Sequence, residues 1–150
     1  MIQVLIRPRF EALVDPEQVE RVARVALQME SAPLHVSLSV VITDDDEIQS
    51  LNRQFRGIDA PTDVLSFADD APDPAFVDAS DETPYLGDVI LSFPRAQAQA
   101  AEQGHSTAQE VCLLIVHGIL HLLGYDHAEP DEKDTMWARQ DAILARAADG

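Results

Sequence analysis

The sequence predicts a single α+β domain in which about four strands form one sheet packed with about five helices. Three observations lead to this fold class. The chain has 150 residues, enough for one compact domain with its own core. Its composition, with 46% hydrophobic and 25% charged residues, is that of a soluble globular protein. Short β-branched segments and longer segments of helical periodicity follow one another in the order β-α-β-α-β-β-α-α-α.

The first part of the chain predicts two strands separated by a helix. Residues 2–6 are short and β-branched, which is typical of a strand. Asp15 and Pro16 suit the N-cap and the first turn of a helix, and apolar residues follow at helical spacing. Apolar and polar side chains alternate over residues 34–42, which predicts a half-buried strand.

A second helix and two further strands come next. Asp44 begins a capping-box pattern, and Phe55 continues the apolar face of the helix that follows it. Residues 64–67 and 85–92 predict two short strands. Residues 68–84, which separate them, are rich in proline and acids and poor in apolar side chains, so they predict a solvated loop.

The C-terminal part predicts three helices. Residues 94–103 form a polar, Ala-rich helix. Thr107 and Glu110 have the spacing of a cap for the next helix, which runs to Leu123. That helix is apolar nearly all round, so we expect it to be the buried central helix of the domain. Residues 131–147 predict the last helix.

Charge and cysteine content narrow the classes of partner and compartment. Ten Lys and Arg against 27 Asp and Glu give a net charge of −17. Such a surface repels polyanions, so broad electrostatic binding of nucleic acid is not expected, although a local basic site is compatible with it. The single cysteine, Cys112, cannot form an internal disulfide and is expected to pack in the core. No apolar stretch is long enough to span a bilayer, and we expect a cytoplasmic protein that binds neither membranes nor DNA.

Three of the five histidines lie within one short segment, at His117, His121 and His127. Positions i and i+4 of a helix face the same way, so the first two rings can point at one place. Gly124 can turn the chain back and let the third histidine approach the same place. Three imidazoles with an open fourth position form the ligand set of a catalytic zinc ion. The alternative is that the helical histidines are hydrogen-bonded core residues.

The spacing of these histidines equals that of the metzincin proteases, with one important difference. The metzincin pattern places a glutamate directly after the first histidine, where it acts as the general base. This chain has Gly118 at that position. The ligand spacing is therefore kept while the base of peptide hydrolysis is missing, which disfavours a peptidase.

The segment 117–127, HGILHLLGYDH, resembles the signature of the YbeY family of endoribonucleases, which are rRNA maturation factors. Two further blocks, 51–67 and 86–90, also resemble that family. Residues 1–150 are thus expected to form one YbeY-like, metal-dependent hydrolase domain. The resemblance implies a zinc-dependent, single-strand-specific endoribonuclease that acts in 16S rRNA 3′-end maturation and ribosome quality control. Its expected partners are single-stranded rRNA, the small ribosomal subunit and the assembly proteins of that subunit.

Carried over by position, the resemblance implies one Zn²⁺ per chain, bound by His117, His121 and His127. Arg56 matches a functionally important arginine of the family and could hold phosphate oxygens in a bidentate fork. Asp126 could orient a ligand histidine or act as a base. The alternative for Asp126 is a solvent-facing turn residue. Whether the nucleophile is a metal-bound water or the 2′-hydroxyl of the RNA stays open.

For Arg56 the alternative is an ion pair with Asp59 or Asp63. The chain departs from the family pattern at Ala68, where the family usually has proline, and in its long acidic loop over residues 69–82. Neither departure touches the proposed metal site.

The arginines bear on RNA binding in an acidic protein. Six of them could form one basic face, and the alternative is that they are scattered ion-pair partners: Arg7, Arg9, Arg21, Arg24, Arg53 and Arg56. We expect weak binding of free RNA, with ribosome or protein contacts providing the targeting. Two other functions compete with the nuclease: a non-enzymatic ribosome assembly factor with a structural zinc, and another metallohydrolase such as a peptidase or amidase.

Overall fold

The computed structural model describes residues 2–32, 36–68, 85–125 and 128–149. The predicted order of strands and helices is confirmed, with one short 3-10 helix in addition. The elements are β1 (Ile2–Ile6), the 3-10 helix (Pro8–Phe10), α1 (Pro16–Met29), β2 (Ser37–Thr43), α2 (Asp45–Arg56), β3 (Val64–Ala68), β4 (Tyr85–Ser92), α3 (Phe93–Gln103), α4 (Thr107–Leu122) and α5 (Pro130–Asp149). The predicted loop beyond Ala68, and the start of the predicted strand 34–42, lie outside the described residues.

The four strands form one mixed sheet in the order β1-β2-β4-β3. β1, β2 and β4 run parallel, and β3 pairs antiparallel with β4 at one edge. Since side chains alternate between the faces of a sheet, this register separates two surfaces. One face packs against α1 and α4, and the other face packs against α2. The α+β class and the single domain are therefore confirmed.

The main core lies on the face that α4 covers. Val40 and Val89 of the sheet are buried there against Ile115 and Ile119, as expected for the central helix. A smaller cluster on the other face joins Ile48 of α2 to Leu65 of β3 and Ile90 of β4. Of the part of the chain that is described, no helix is long and apolar enough to cross a bilayer.

Side-chain caps begin the helices as the sequence predicts, except at α4. The carboxylates of Asp15 and Asp44 accept hydrogen bonds from backbone N–H groups in the first turns of α1 and α2. At α4 the predicted cap was wrong by one residue, because Ser106 and Gln109 form the capping box. Glu110 turns inward instead, where it is buried and lies 2.9 Å from Nε2 of His105.

The prediction that Phe55 continues the apolar face of α2 needs a correction. Ile48 is fully buried, but Phe55 is 64% exposed. Phe55 lies in the last turn of α2, and its ring contacts Phe67 on β3. Among the described strands β3 lies at an edge of the sheet, so no described strand lies beyond it to cover the ring.

A buried carboxylate joins three separate segments near the end of α4. Glu30 follows α1 and accepts hydrogen bonds from the Tyr125 hydroxyl at 2.6 Å and from Nε of Arg139 at 2.7 Å. The hydrogen bond to this carboxylate raises the pKa of the Tyr125 hydroxyl. Arg139 also donates to the carbonyl of Met29 at 3.3 Å. The contact thus fixes Tyr125, two residues before His127, to α1 and α5.

Arg139→Met is expected to lower the free energy of unfolding by about 1.5–3 kcal/mol, because it removes a charged hydrogen bond from a buried carboxylate while keeping the aliphatic stem. The matched control is Arg24→Met, which removes an exposed ion pair with Glu20 and is expected to cost about 0.3–0.5 kcal/mol. Urea unfolding of both variants measures the difference. Equal losses in the two variants would contradict a structural role for the Glu30 contact.

Candidate functional site

His117 and His121 lie together in the last turns of α4. Their rings are 4.8 Å apart between centroids and nearly perpendicular, at 80°. Both side chains are half-buried, at the border between the core and the surface. The two rings are neighbours, as the i, i+4 spacing predicts, while their binding of a metal stays a prediction. His127 and Asp126 lie outside the described residues, so their places in the site stay predictions.

A buried glutamine on α5 orients the first histidine. Oε1 of Gln140 lies 3.2 Å from Nδ1 of His117, and the Gln140 side chain is 3% exposed. An amide oxygen only accepts, so Nδ1 of His117 must carry the proton. The neutral ring then has its lone pair on Nε2, the arrangement in which a histidine ligates a metal while its other nitrogen is held in place.

Trp137 also contacts His117. The two rings meet edge to face at a centroid distance of 5.5 Å, and Nζ of Lys133 lies 5.5 Å above the indole ring. The sequence predicts that Met136 and Trp137 pack the last helix on the core. Met136 is fully buried, as predicted, whereas Trp137 is 37% exposed beside the histidine pair.

The residues present fit a zinc ion as far as they are described. Imidazole nitrogen is a preferred zinc ligand, and the Gln140 contact holds His117 in the tautomer that binding requires. Among residues 2–32, 36–68, 85–125 and 128–149, no cluster of three potential ligand side chains occurs. The described pair could therefore supply two ligands, and a three-histidine site would also need His127.

Gly118 brings α4 into close contact with the sheet. Its carbonyl accepts a hydrogen bond from the Ser66 hydroxyl at 3.0 Å. A Cβ atom at this position would lie 2.7 Å from Cγ1 of Val89 and 3.1 Å from Oγ of Ser66. The position at which metzincins have their glutamate is thus sterically closed to any side chain. This packing supports the argument from the sequence against a metzincin-type peptidase.

Arg56 lies at the end of α2, on the face of the sheet opposite to α4. The structure therefore does not bring it onto the same face as the histidine pair. Within the described part of the chain it forms no hydrogen bond or ion pair. Asp59 lies 3.8 Å from Arg53, and Asp63 accepts from the backbone N–H of Val64. The alternative of an Arg56 ion pair with either acid is not observed.

The prediction of one basic face is wrong, because α1 and α2 lie on opposite faces of the sheet. Four of the six arginines are in ion pairs and a fifth, Arg21, donates to a backbone carbonyl. The pairs are Arg7 with Glu47, Arg9 with Asp44, Arg24 with Glu20 and Arg53 with Asp59. The alternative, scattered ion-pair partners, describes the four paired residues.

Cys112 is half-buried on α4 and packs against the main core, as the sequence predicts. Burial raises the pKa of its thiol to about 11. A thiol with so high a pKa stays protonated at neutral pH, which agrees with a packing role for Cys112.

Comparison with known proteins identifies the family. The sequence profile described as Endoribonuclease YbeY matches residues 10–148. The chain belongs to the YbeY family. A relative from Chloroflexus aurantiacus named Endoribonuclease YbeY is 53% identical over 131 residues, covering 87% of this chain and 85% of that protein. Another of the same name, from Roseiflexus castenholzii, is 47% identical over 145 residues, covering 96% and 91%.

The fold also resembles that of a solved structure. The solution structure of TM1509 from Thermotoga maritima superposes with a TM-score of 0.65 at 28% identity, covering 98% of this chain and 89% of that one. The resemblance that the histidine segment suggested is thus confirmed over nearly the whole chain. The chain is accordingly placed among the YbeY endoribonucleases, enzymes that hydrolyse RNA.

Gly118→Ala is expected to lower the free energy of unfolding by about 1–3 kcal/mol through overpacking against Val89. Helix propensity alone would predict a gain of about 1 kcal/mol, so the sign of the change decides between the two effects. Urea unfolding of Gly118→Ala, of Val89→Ala and of the double variant gives the coupling energy between the two substitutions. A favourable coupling energy is expected, since the shorter side chain opens room for the new methyl group. A more stable Gly118→Ala variant would contradict the close contact.

Gln140→Leu is expected to weaken zinc binding by about 10–100-fold, because His117 loses the acceptor that holds its tautomer and ring orientation. Gln140→Glu keeps an acceptor at the same place and is expected to bind zinc at least as tightly as the wild type. Competition with a chromophoric chelator measures both affinities. Gln103→Leu, on the exposed surface of α3, is the matched control. If Gln140→Leu binds zinc as tightly as the wild type, Gln140 has no role in the site.

Proposed function

We propose that this chain is a zinc-dependent endoribonuclease that cleaves single-stranded RNA in the cytoplasm and acts in 16S rRNA 3′-end maturation and ribosome quality control. The observation that carries the proposal is the His117–His121 pair with its Gln140 support, in a chain of the YbeY family. Relatives that share about half of their residues with this chain are named as endoribonucleases.

The residues of the site have distinct tasks in this proposal. His117 and His121, together with His127, would hold one zinc ion per chain. Bound there, zinc would supply a Lewis acid for the scissile phosphate and lower the pKa of a water molecule to about 7. Gln140, through its contact with Nδ1, would hold the His117 ring in the orientation for binding the ion. Asp126, next to His127 in sequence, would orient a ligand histidine or act as the general base.

Arg56 contributes to binding of the RNA backbone in this proposal. Its exposed guanidinium, with no partner in the described part of the chain, offers two parallel N–H donors to a phosphate. Arg56 lies across the sheet from α4. It would therefore bind a phosphate that is some distance along the RNA from the scissile phosphate.

The charge of the protein bears on how the enzyme binds its substrate. At a net charge of −17, and with six arginines already in ion pairs, little counterion release is gained on binding free RNA. Affinity for isolated RNA would therefore be low. The small ribosomal subunit and its assembly proteins would bring the enzyme to the rRNA.

His121→Ala is expected to abolish cleavage of an end-labelled single-stranded RNA and to reduce bound zinc from about one per chain to near zero. The loss of zinc affinity should exceed the roughly 10–100-fold loss expected when only a supporting hydrogen bond is removed. His105→Ala is the matched control, because His105 pairs with Glu110 at the start of α4 and is expected to keep zinc and cleavage. Circular dichroism checks that each variant is folded.

Three outcomes would contradict the proposal in different ways. Equal cleavage by the wild type and His121→Ala would point to a contaminating nuclease. Cleavage of neither free RNA nor RNA in small-subunit particles would favour a non-enzymatic assembly factor. Cleavage of peptides with no effect on RNA would favour a different metallohydrolase.

A further inference from the structure

An exposed pair of aromatic rings lies at the end of α2. Phe55 is 64% exposed, and its ring lies 5.3 Å from that of the half-buried Phe67 at an angle of 56°. Large aromatic side chains usually contribute most when buried, so one left uncovered beside a second ring suggests a surface for binding. We call Phe55 and Phe67 the aromatic platform.

The platform is flanked by positive charge in an otherwise acidic protein. Arg53 and Arg56 lie in the last turn of α2, on either side of Phe55 in sequence. The acids of α2 are concentrated in its first turn, at the opposite end of the helix. Arg53 has only an exposed pair with Asp59 at 3.8 Å, which contributes little in water and is readily exchanged for another anion.

Strand β3 connects the platform with the helix that carries the histidine pair. Phe67 and Ser66 are neighbours on β3, so their side chains lie on opposite faces of the sheet. Phe67 contacts Phe55, while the Ser66 hydroxyl donates to the Gly118 carbonyl beside His117. Because β3 is the edge strand, a flexible ligand that passes around this edge can reach both faces.

We propose that the aromatic platform stacks with an unpaired base of single-stranded RNA, while Arg53 and Arg56 bind the adjacent phosphates. This inference rests on the proposed function and adds a binding site to it. Stacking between a base and an aromatic ring tolerates any sequence, since every base has a π-face, and it requires no net positive charge on the protein. Stacking would thus supply affinity for RNA that this negatively charged chain does not gain from electrostatic attraction. Bases within a duplex are already stacked, so the platform also favours single strands.

The test is the binding of a fluorescently labelled single-stranded RNA of about ten nucleotides, made with 2′-O-methyl riboses to prevent cleavage. Fluorescence anisotropy measures the affinity of the zinc-loaded protein. Phe55→Ala is expected to weaken binding by about 5–100-fold, and Phe55→Trp to bind at least as tightly as the wild type. Leu13→Ala is the matched control, because Leu13 is similarly exposed, at 61%, and lies before α1.

Two further measurements separate stacking from charge. Phe55→Ala should leave the slope of log affinity against log salt concentration unchanged, whereas Arg56→Ala should reduce its magnitude by about 0.7. An oligonucleotide of the same length with abasic residues should bind the wild type and Phe55→Ala equally, since it has no bases to stack.

The platform is overturned if Phe55→Ala binds the RNA within about twofold of the wild type, or if its deficit is as large with the abasic strand. If the wild type cleaves RNA but Phe55→Ala shows either of these binding results, the platform proposal fails and the proposed function stands. If the wild type neither binds nor cleaves single-stranded RNA, the proposed function fails and the platform fails with it.

Discussion

The close contact between α4 and the sheet at Gly118 determines the position of the site. Because no side chain separates the helix from Val89 and Ser66, the backbone of α4 lies directly against β3 and β4. The rest of the helix is apolar and buried on this side. His117 and His121 are thereby held at the border of the core, half-buried on a rigid element. Such a position restricts the motion of both side chains, which would reduce the reorganisation needed if a metal binds there.

Helix α5 also contributes to the surroundings of the histidine pair. A buried helix leaves polar side chains such as His117 in need of partners, and α5 supplies one from the buried Gln140. The Glu30 contact with Tyr125 and Arg139 attaches the segment after α4 to both α1 and α5. The surroundings of the histidine pair are therefore fixed by tertiary contacts of several helices, in addition to the i, i+4 spacing on one of them.

Local signals in the sequence predicted much of this structure, and non-local contacts account for what it missed. The Asp15 cap and the His117–His121 pair depend on residues within a turn of each other, so spacing was sufficient to find them. Gln140 lies 23 residues beyond His117 on a different helix, and only the packing of α4 on α5 brings it there. The exposure of Phe55 likewise depends on where the sheet ends, which helical periodicity does not encode.

If the aromatic platform binds RNA as proposed, the arrangement around β3 favours a single strand over a duplex. The histidine pair belongs to the helix on one face of the sheet, and the aromatic platform lies on the other face. A ligand that contacts both must bend sharply around a single strand of protein. An unpaired RNA chain has freely rotating backbone bonds and can follow this path with its bases turned outward. A duplex resists bending on this scale and keeps its bases inside, so it can engage one surface at most.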